Sequence, residues 1–124
     1  MFNYVAIAIG GAFGACLRYA LSEWMLLLFG RAFPFGTLLV NILGAFAIGL
    51  FYGLLISEQI AASPWRIFIG IGVLGALTTF STFSLDTLLL LQQGDYLKAV
   101  ANVLLNVCIC ITLTWLGLKL GTLK

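Results

Sequence analysis

Three long stretches of this sequence, 32–57, 67–85 and 99–118, contain no charged residue. A bilayer-spanning helix needs about 20 predominantly apolar residues, so each stretch is close to or above the length required to cross a membrane. Only 8% of the chain is charged and 63% is apolar, whereas every helix of a water-soluble bundle needs a polar face. The sequence therefore predicts an all-α membrane protein and leaves no room for a catalytic domain in water.

Turn-forming residues separate the apolar stretches into four predicted transmembrane helices. Gly30 with Pro34 marks one turn, Ser63 with Pro64 a second, and the polar run 92–95 a third. We expect a single transmembrane domain over residues 1–124, with both termini on one side and spans at about 4–29, 36–57, 65–91 and 97–120.

Charge and composition also limit the partners of the chain. A net charge of +2 without histidine argues against a nucleic-acid surface and removes the commonest metal ligand. The three cysteines, Cys16, Cys108 and Cys110, fall within spans and lack metal-ligand spacing. We expect them to be small apolar fillers, and we expect the lipid bilayer to be the main environment of the protein.

Basic residues are almost evenly divided between the two predicted sides of the membrane. Arg66, Lys119 and Lys124 lie on the terminal side, against Arg31 and Lys98 on the other, a count of three to two. Cytoplasmic loops normally carry an excess of Lys and Arg. The near-tie is compatible with insertion in both orientations, which would permit an antiparallel homodimer, or with orientation by other signals.

Small residues recur at helical spacing in the first two spans. Gly10 with Gly14 and Gly49 with Gly53 are small-x-x-x-small pairs, which allow helices to approach closely. Four spans enclose little space, so a channel of this size is expected to oligomerise. The glycine pairs could serve that contact or packing within one subunit.

A dense run of hydroxyl groups occupies the centre of the third predicted span. Residues 78–84 contain five Ser or Thr side chains in seven positions, and at 100° per residue these point around the whole helix. Gly70, Gly72 and Gly75 lie upstream, and glycine backbones leave helical geometry easily. We predict a break around Gly75–Thr79; the alternative is that the hydroxyls bond back to their own helix.

Other polar or aromatic residues at depth are candidates for an ion path, because such side chains are costly in hydrocarbon. Asn41 lies in the middle of span 2, and Asn102 with Asn106 is an i, i+4 pair in span 4. Amides offer N–H donors to a desolvated anion, or they bind helices together. Phe80 and Phe83 share one face and could turn positive ring edges toward an anion.

Arg18 lies two-thirds of the way along span 1, with Glu23 five residues later. Its permanent charge could reach the interface or gather anions at a vestibule. Asp86 follows the hydroxyl run by about one turn and receives no specific role.

Together these residues resemble the Fluc family of fluoride channels, also called CrcB. The matching motifs are Gly10-Gly11-x-x-Gly14-x-x-x-Arg18-Tyr19, Gly36-Thr37-Leu38-x-Val40-Asn41, and Gly70-x-x-x-x-Gly75-x-x-Thr78-Thr79-Phe80-Ser81-Thr82-Phe83-Ser84. The resemblance implies an antiparallel dual-topology homodimer with two pores, and a third helix broken at the midplane. It also implies a structural Na⁺ on the dimer axis, bound by the backbone carbonyls of Gly75 and Thr78 from both subunits.

The same resemblance implies roles for the remaining candidates. Phe80 and Phe83 would be the pore aromatics, Asn41 the pore amide, Ser81 and Thr82 a polar track beside the rings, and Arg18 part of the aqueous entrance. Span 4 matches less distinctly. We place Asn106 with the fluoride-binding residues, while Asn102 stays open between pore and packing.

The implied function is passive export of fluoride across the membrane, the bacterial inner membrane above all, to relieve fluoride toxicity. The alternative is a small dual-topology exporter of cationic compounds coupled to protons, which needs a carboxylate in the middle of the first span. Span 1 carries Arg18 near that depth and Glu23 only near its end. A purely structural membrane subunit would leave the hydroxyl run and Asn41 unexplained.

Overall fold

The structure is a computed structural model that describes residues 1–61 and 63–123, and these residues form an all-helical bundle with four membrane-spanning segments. Every helix end lies within two residues of the corresponding predicted span. The helices are α1 (Phe2–Phe29), α2 (Phe35–Ile56), α3 (66–77), α4 (Phe80–Gln92) and α5 (Tyr96–Gly121), with α3 and α4 together forming the third span.

The third span is interrupted at Thr78 and Thr79, inside the range in which the sequence predicts a break. Thr78 has φ −81° and ψ 154°, and Thr79 has φ −150° and ψ 120°, so both are extended. The preceding segment Arg66–Leu74 has wider π-helical turns, and Gly75–Leu77 is a short α-helical continuation. The prediction of irregular backbone in this span is confirmed.

The first residues of α1 and the last residues of α5 lie at the same end of the bundle, beside the connection between α2 and α3. Ser57 Oγ and Gln59 Nε2 donate to the Gly121 carbonyl oxygen at 2.9 and 3.1 Å. We call this the terminal end, and the opposite end, with connections 30–34 and 93–95, the loop end. Lys124, counted above among the cations of the terminal side, lies outside the described residues.

Glycines let α1 pack directly against the backbone of α3. A methyl group on Gly10 would lie 2.5 Å from the Phe68 carbonyl oxygen, and one on Gly14 would overlap the Val73 carbonyl oxygen. The glycine pair of the first span is therefore used for packing within one subunit.

The same principle joins α2 to the second half of α5. A methyl group on Gly53 would lie 2.5 Å from the Leu118 carbonyl oxygen, and one on Gly49 would overlap that of Thr114. The opposing face of α5 supplies Gly117 and Gly121, whose added methyl groups would meet the backbone of α2. The described subunit thus uses both predicted pairs internally, and the matching pair on α5 was not singled out from the sequence.

A small apolar core holds α2 beside the interruption. Val40 and Phe51 of α2 pack with Leu74 and Leu77 of α3, and all four are buried. Leu77 is the last residue of α3, so this core fixes the end of that helix against α2 just before the chain becomes extended.

The close contact of α2 with α5 predicts a specific sensitivity to added volume. Gly49→Ala should lower the melting temperature in detergent, because its methyl group overlaps the Thr114 carbonyl oxygen and separates the helices. Overpacking of this kind costs about 1–3 kcal/mol. Thermal unfolding followed by circular dichroism measures the effect.

Gly11→Ala is the matched control, since a methyl group there meets nothing within 4 Å. Alanine is favoured over glycine inside a helix by about 0.8–1 kcal/mol, so this variant should melt at the wild-type temperature or above. Equal melting temperatures for the two variants would refute the close packing of α2 on α5.

Candidate functional site

Asn41 of α2 bonds to both backbone polar groups of Thr79, at the helix interruption. Its Nδ2 donates to the Thr79 carbonyl oxygen at 3.1 Å, and its Oδ1 accepts from the Thr79 backbone N–H at 2.8 Å. In a continuous helix these backbone groups would bond within the helix. The amide of Asn41 therefore replaces the helical hydrogen bonds that the extended residues lose.

The amide of Asn41 continues into a chain of buried polar side chains. Its Nδ2 also donates to Asn106 Oδ1 at 2.9 Å, and Asn106 Nδ2 donates to Asn102 Oδ1 at 3.0 Å. Asn102 Nδ2 donates in turn to Thr87 Oγ1 at 2.9 Å. Asn102 is fully buried and Asn106 nearly so. The chain, which we call the amide chain, connects α2, α5 and α4.

A cavity of about 320 Å³ lies beside the interruption and collects most of the predicted site residues. The rings of Phe80 and Phe83 have centroids 5.3 Å apart and are tilted by 59°. Phe83 is buried, whereas Phe80 is 77% exposed at the surface of the subunit. The lining residues are Asn41, Gly44, Ala45, Ile48, Thr78, Thr79, Phe80, Phe83, Asn106, Val107 and Cys110.

The hydroxyl groups of residues 78–84 make two kinds of contact. Thr79 Oγ1 caps α4 by accepting from the Thr82 backbone N–H at 3.2 Å, and its hydroxyl is 3.1 Å from that of Thr82 and 3.3 Å from that of Ser81. Thr78 and Ser84 donate instead to carbonyls one turn earlier, at 3.2 and 2.9 Å. The segment therefore combines the two alternatives: an irregular backbone, and hydroxyl groups that bond back to their own helix.

The interruption also redirects the two N–H groups that would pair with the carbonyls of Gly75 and Thr78. In a continuous α-helix Gly75 would accept from Thr79 and Thr78 from Thr82. Here the Thr79 N–H donates to Asn41 and the Thr82 N–H to the hydroxyl of Thr79. Hard cations such as Na⁺ take oxygen ligands, and carbonyls freed from helix hydrogen bonds can bind ions at membrane depth. These two oxygens therefore suit the predicted Na⁺ site.

Side chains of the described residues offer no alternative cation site of the usual kind. No three His, Cys, Asp or Glu side chains within 1–61 and 63–123 come together at metal-binding distance.

A second cavity, of about 370 Å³, lies at the loop end. Thr37 Oγ1 donates to Asp86 Oδ2 at 2.6 Å at its wall, and Glu23 and Arg31 also line it. Thr82 belongs to this wall as well. Because the hydroxyl of Thr82 contacts Thr79 of the central cavity, a line of polar groups joins the two cavities.

Arg18 lies away from the two cavities, whereas Cys110 lies beside the central one. Arg18 is half-buried in α1 and lines neither the central nor the loop-end cavity. Cys110 lines the central cavity one turn after Asn106, while Cys16 and Cys108 are exposed. The i, i+4 spacing of Asn106 and Cys110 was the signal in the sequence that places this thiol beside the amide chain.

Comparison with known proteins identifies the family of this chain. The family model described as CrcB-like protein, Camphor Resistance (CrcB), matches residues 5–118. A fluoride-specific ion channel FluC of Pseudoalteromonas translucida is 62% identical over 114 residues, covering 92% of this chain and 95% of that protein. A protein of the same name from Shewanella amazonensis is 55% identical over 120 residues, covering 97% and 96%. This chain therefore belongs to the CrcB family.

Proposed function

We propose that this protein is a fluoride-selective passive channel of the bacterial inner membrane, which exports fluoride down its gradient and so relieves fluoride toxicity. The carrying observation is the central cavity, in which an amide, hydroxyls and two phenyl rings meet at a helix interruption. Relatives that match almost the whole chain are named fluoride-specific ion channels, which supports the same activity here. The activity is transport and involves no catalysis.

Fluoride is small and strongly hydrated, so a path for it has to replace water by hydrogen-bond donors at close range. Both N–H groups of Asn41 already donate, to the Thr79 carbonyl and to Asn106. An arriving fluoride would accept one of them in place of the carbonyl oxygen, which returns to its partner when the ion leaves. Such an exchange leaves no donor unpaired, and conduction requires that an ion be bound weakly enough to depart.

Phe80 and Phe83 supply the apolar wall of the same path. A phenyl ring is positive at its edge and negative on its face, so a tilted pair can turn ring edges toward an anion. Rings carry no fixed charge and no strong donor, and therefore they would contact fluoride without holding it. Ser81 and Thr82 continue the polar track, and Arg18 contributes positive charge at the aqueous entrance.

We propose that the working unit is an antiparallel homodimer with two pores. Gly75, Phe80, Ser81, Thr82 and Ser84 are exposed on the single subunit although they belong to the middle of the third span. Hydroxyl groups facing lipid at that depth are costly. A second copy in the opposite orientation would cover them, and the near-balance of basic residues permits both orientations.

The structural Na⁺ belongs to the same proposal. Carbonyl oxygens of Gly75 and Thr78 from two antiparallel subunits would meet on the dimer axis and bind the ion there. When bound, the cation supplies a fixed positive charge between the two pores.

Fluoride flux is the first test. Purified protein in liposomes should release fluoride under an outward gradient, without a proton gradient, and should release chloride far more slowly; ion-selective electrodes measure both. Equal chloride and fluoride release would contradict the selectivity. Release that disappears when a protonophore collapses the proton gradient would favour the coupled exporter.

The aromatic pair has a separate test. Phe80→Ile and Phe83→Ile should each lower fluoride throughput by about threefold to tenfold while leaving the dimer intact. Each substitution removes a ring edge from the path and breaks the Phe80–Phe83 pair, and aromatic pairs are worth about 0.5–1.5 kcal/mol. Phe29→Ile, at the loop-end terminus of α1 and outside both cavities, is the control. Wild-type flux in both cavity variants would remove the rings from the mechanism.

Sodium should stabilise the dimer. Exchanging Na⁺ for N-methyl-D-glucamine should lower the melting temperature by about 4 °C or more, because an ion bound only to the assembled state stabilises it by mass action. Size-exclusion chromatography in the two media should show a smaller dimer fraction without Na⁺. Identical melting and elution in both media would argue against the site at Gly75 and Thr78.

A further inference from the structure

The amide chain begins on α4 and ends at the residue that caps the N-terminus of the same helix. Thr87 lies one turn after Phe83 on this helix, and Thr79 is its N-terminal cap. Between them the chain passes through Asn102 and Asn106 of α5 and Asn41 of α2. Neither Thr87 nor Asn102 lines the central or the loop-end cavity. Any influence of these two residues on an ion would therefore act through Asn106 and Asn41.

Two fixed acceptors set the direction of the amide chain: the hydroxyl of Thr87 at its beginning, and the backbone carbonyl of Asn102, which also accepts from Asn106 Nδ2 at 2.9 Å. A hydroxyl has a single proton, and Thr87 donates it to the Phe83 carbonyl oxygen at 2.8 Å. Thr87 Oγ1 can then only accept, which it does from Asn102 Nδ2. The Asn102 side chain therefore turns its amide nitrogen toward Thr87 and its amide oxygen toward Asn106, the next amide on α5.

Each amide orients the one that follows. Because Asn102 presents its oxygen, Asn106 presents its nitrogen to it and its own oxygen to Asn41. Asn41 must therefore direct an N–H group to Asn106, which leaves its oxygen for the Thr79 N–H. If one of these amides were turned the other way, its oxygen would face the oxygen acceptor of its neighbour, and an N–H donor of the chain would lose its partner. A buried donor without a partner costs free energy.

We infer that Thr87 and Asn102 are positioning residues of the fluoride path, which orient the amide of Asn41 so that its N–H groups, and not its oxygen, are available to an anion. This inference rests on the proposed function, since it assigns Asn41 to the path. Without the acceptor at Thr87, the amide of Asn102 is free to turn, and only the backbone carbonyl of Asn102 and the backbone of Thr79 still favour the observed direction. The reversed direction then becomes more accessible than in the wild type. In the reversed direction Asn41 turns its oxygen away from the Thr79 N–H, so this backbone donor is unpaired.

Thr87→Val removes the hydroxyl at nearly constant size, and Thr87→Ser restores it. Thr87→Val should lower fluoride flux about threefold or more, as expected for a membrane hydrogen bond, while Thr87→Ser conducts at the wild-type rate. Thr112→Val is the matched control. The Thr112 hydroxyl also donates to a carbonyl one turn earlier, at 2.8 Å, but this side chain is exposed and lies outside both cavities.

Hydrogen–deuterium exchange measured by mass spectrometry supplies a readout that does not depend on conduction. A peptide that contains the Thr79 amide should exchange faster in Thr87→Val than in the wild type or Thr112→Val, whereas α1 peptides should not change. General destabilisation would accelerate both. If Thr87→Val does not assemble as a dimer in size-exclusion chromatography, Thr87→Ala is used for the same measurements.

The outcomes separate this inference from the proposed function. Absence of fluoride flux in the wild-type protein refutes the proposed function. Hydrogen–deuterium exchange of the Thr79 amide still shows whether Thr87 orients the amide chain. Lower flux without faster Thr79 exchange overturns the inference, as does faster exchange with unchanged flux. It is equally overturned if Thr87→Ser is as impaired as Thr87→Val.

Discussion

An extended backbone inside an apolar bilayer has to find hydrogen-bond partners, and the rest of this structure depends on how Asn41 meets that need. Non-helical backbone at membrane depth is tolerated only where protein or a water-filled cavity satisfies it. Asn41 pairs with both the N–H and the carbonyl of Thr79. The interruption can therefore exist, its two carbonyls at Gly75 and Thr78 are released, and α4 begins with a hydroxyl cap.

Short amide side chains reach across helices only when the backbones are close, so the glycine contacts and the amide chain are one arrangement. Gly49 and Gly53 bring α2 against Gly117 and Gly121 of α5. On the same pair of helices Asn41 Nδ2 donates to Asn106 Oδ1 at 2.9 Å. Gly44 plays the equivalent part toward the interruption, because a methyl group there would overlap the Thr78 side chain.

The spans and the interruption could be predicted because each rests on a local property of the sequence. Apolar length determines the spans, and five hydroxyls around a whole helix indicate irregular backbone. The partners of the polar groups could not be predicted in this way. Whether Asn102 faces Thr87 or lipid depends on the rotation of α5 about its axis, which packing against α2 decides. For the same reason the hydrogen bond between Thr37 and Asp86 appears only in three dimensions.

The amide chain uses donors that a fluoride path also needs, and this determines what kind of path is compatible with the fold. An amide held ready for an anion in an otherwise dry site would be an unpaired donor whenever the ion is absent. Asn41 avoids that state because its N–H groups bond to the Thr79 carbonyl and to Asn106. Fluoride would therefore compete with oxygen acceptors of the protein for the same protons. A larger and less basic anion would compete poorly, so selectivity in such a site would come from the exchange of acceptors as well as from the width of the cavity.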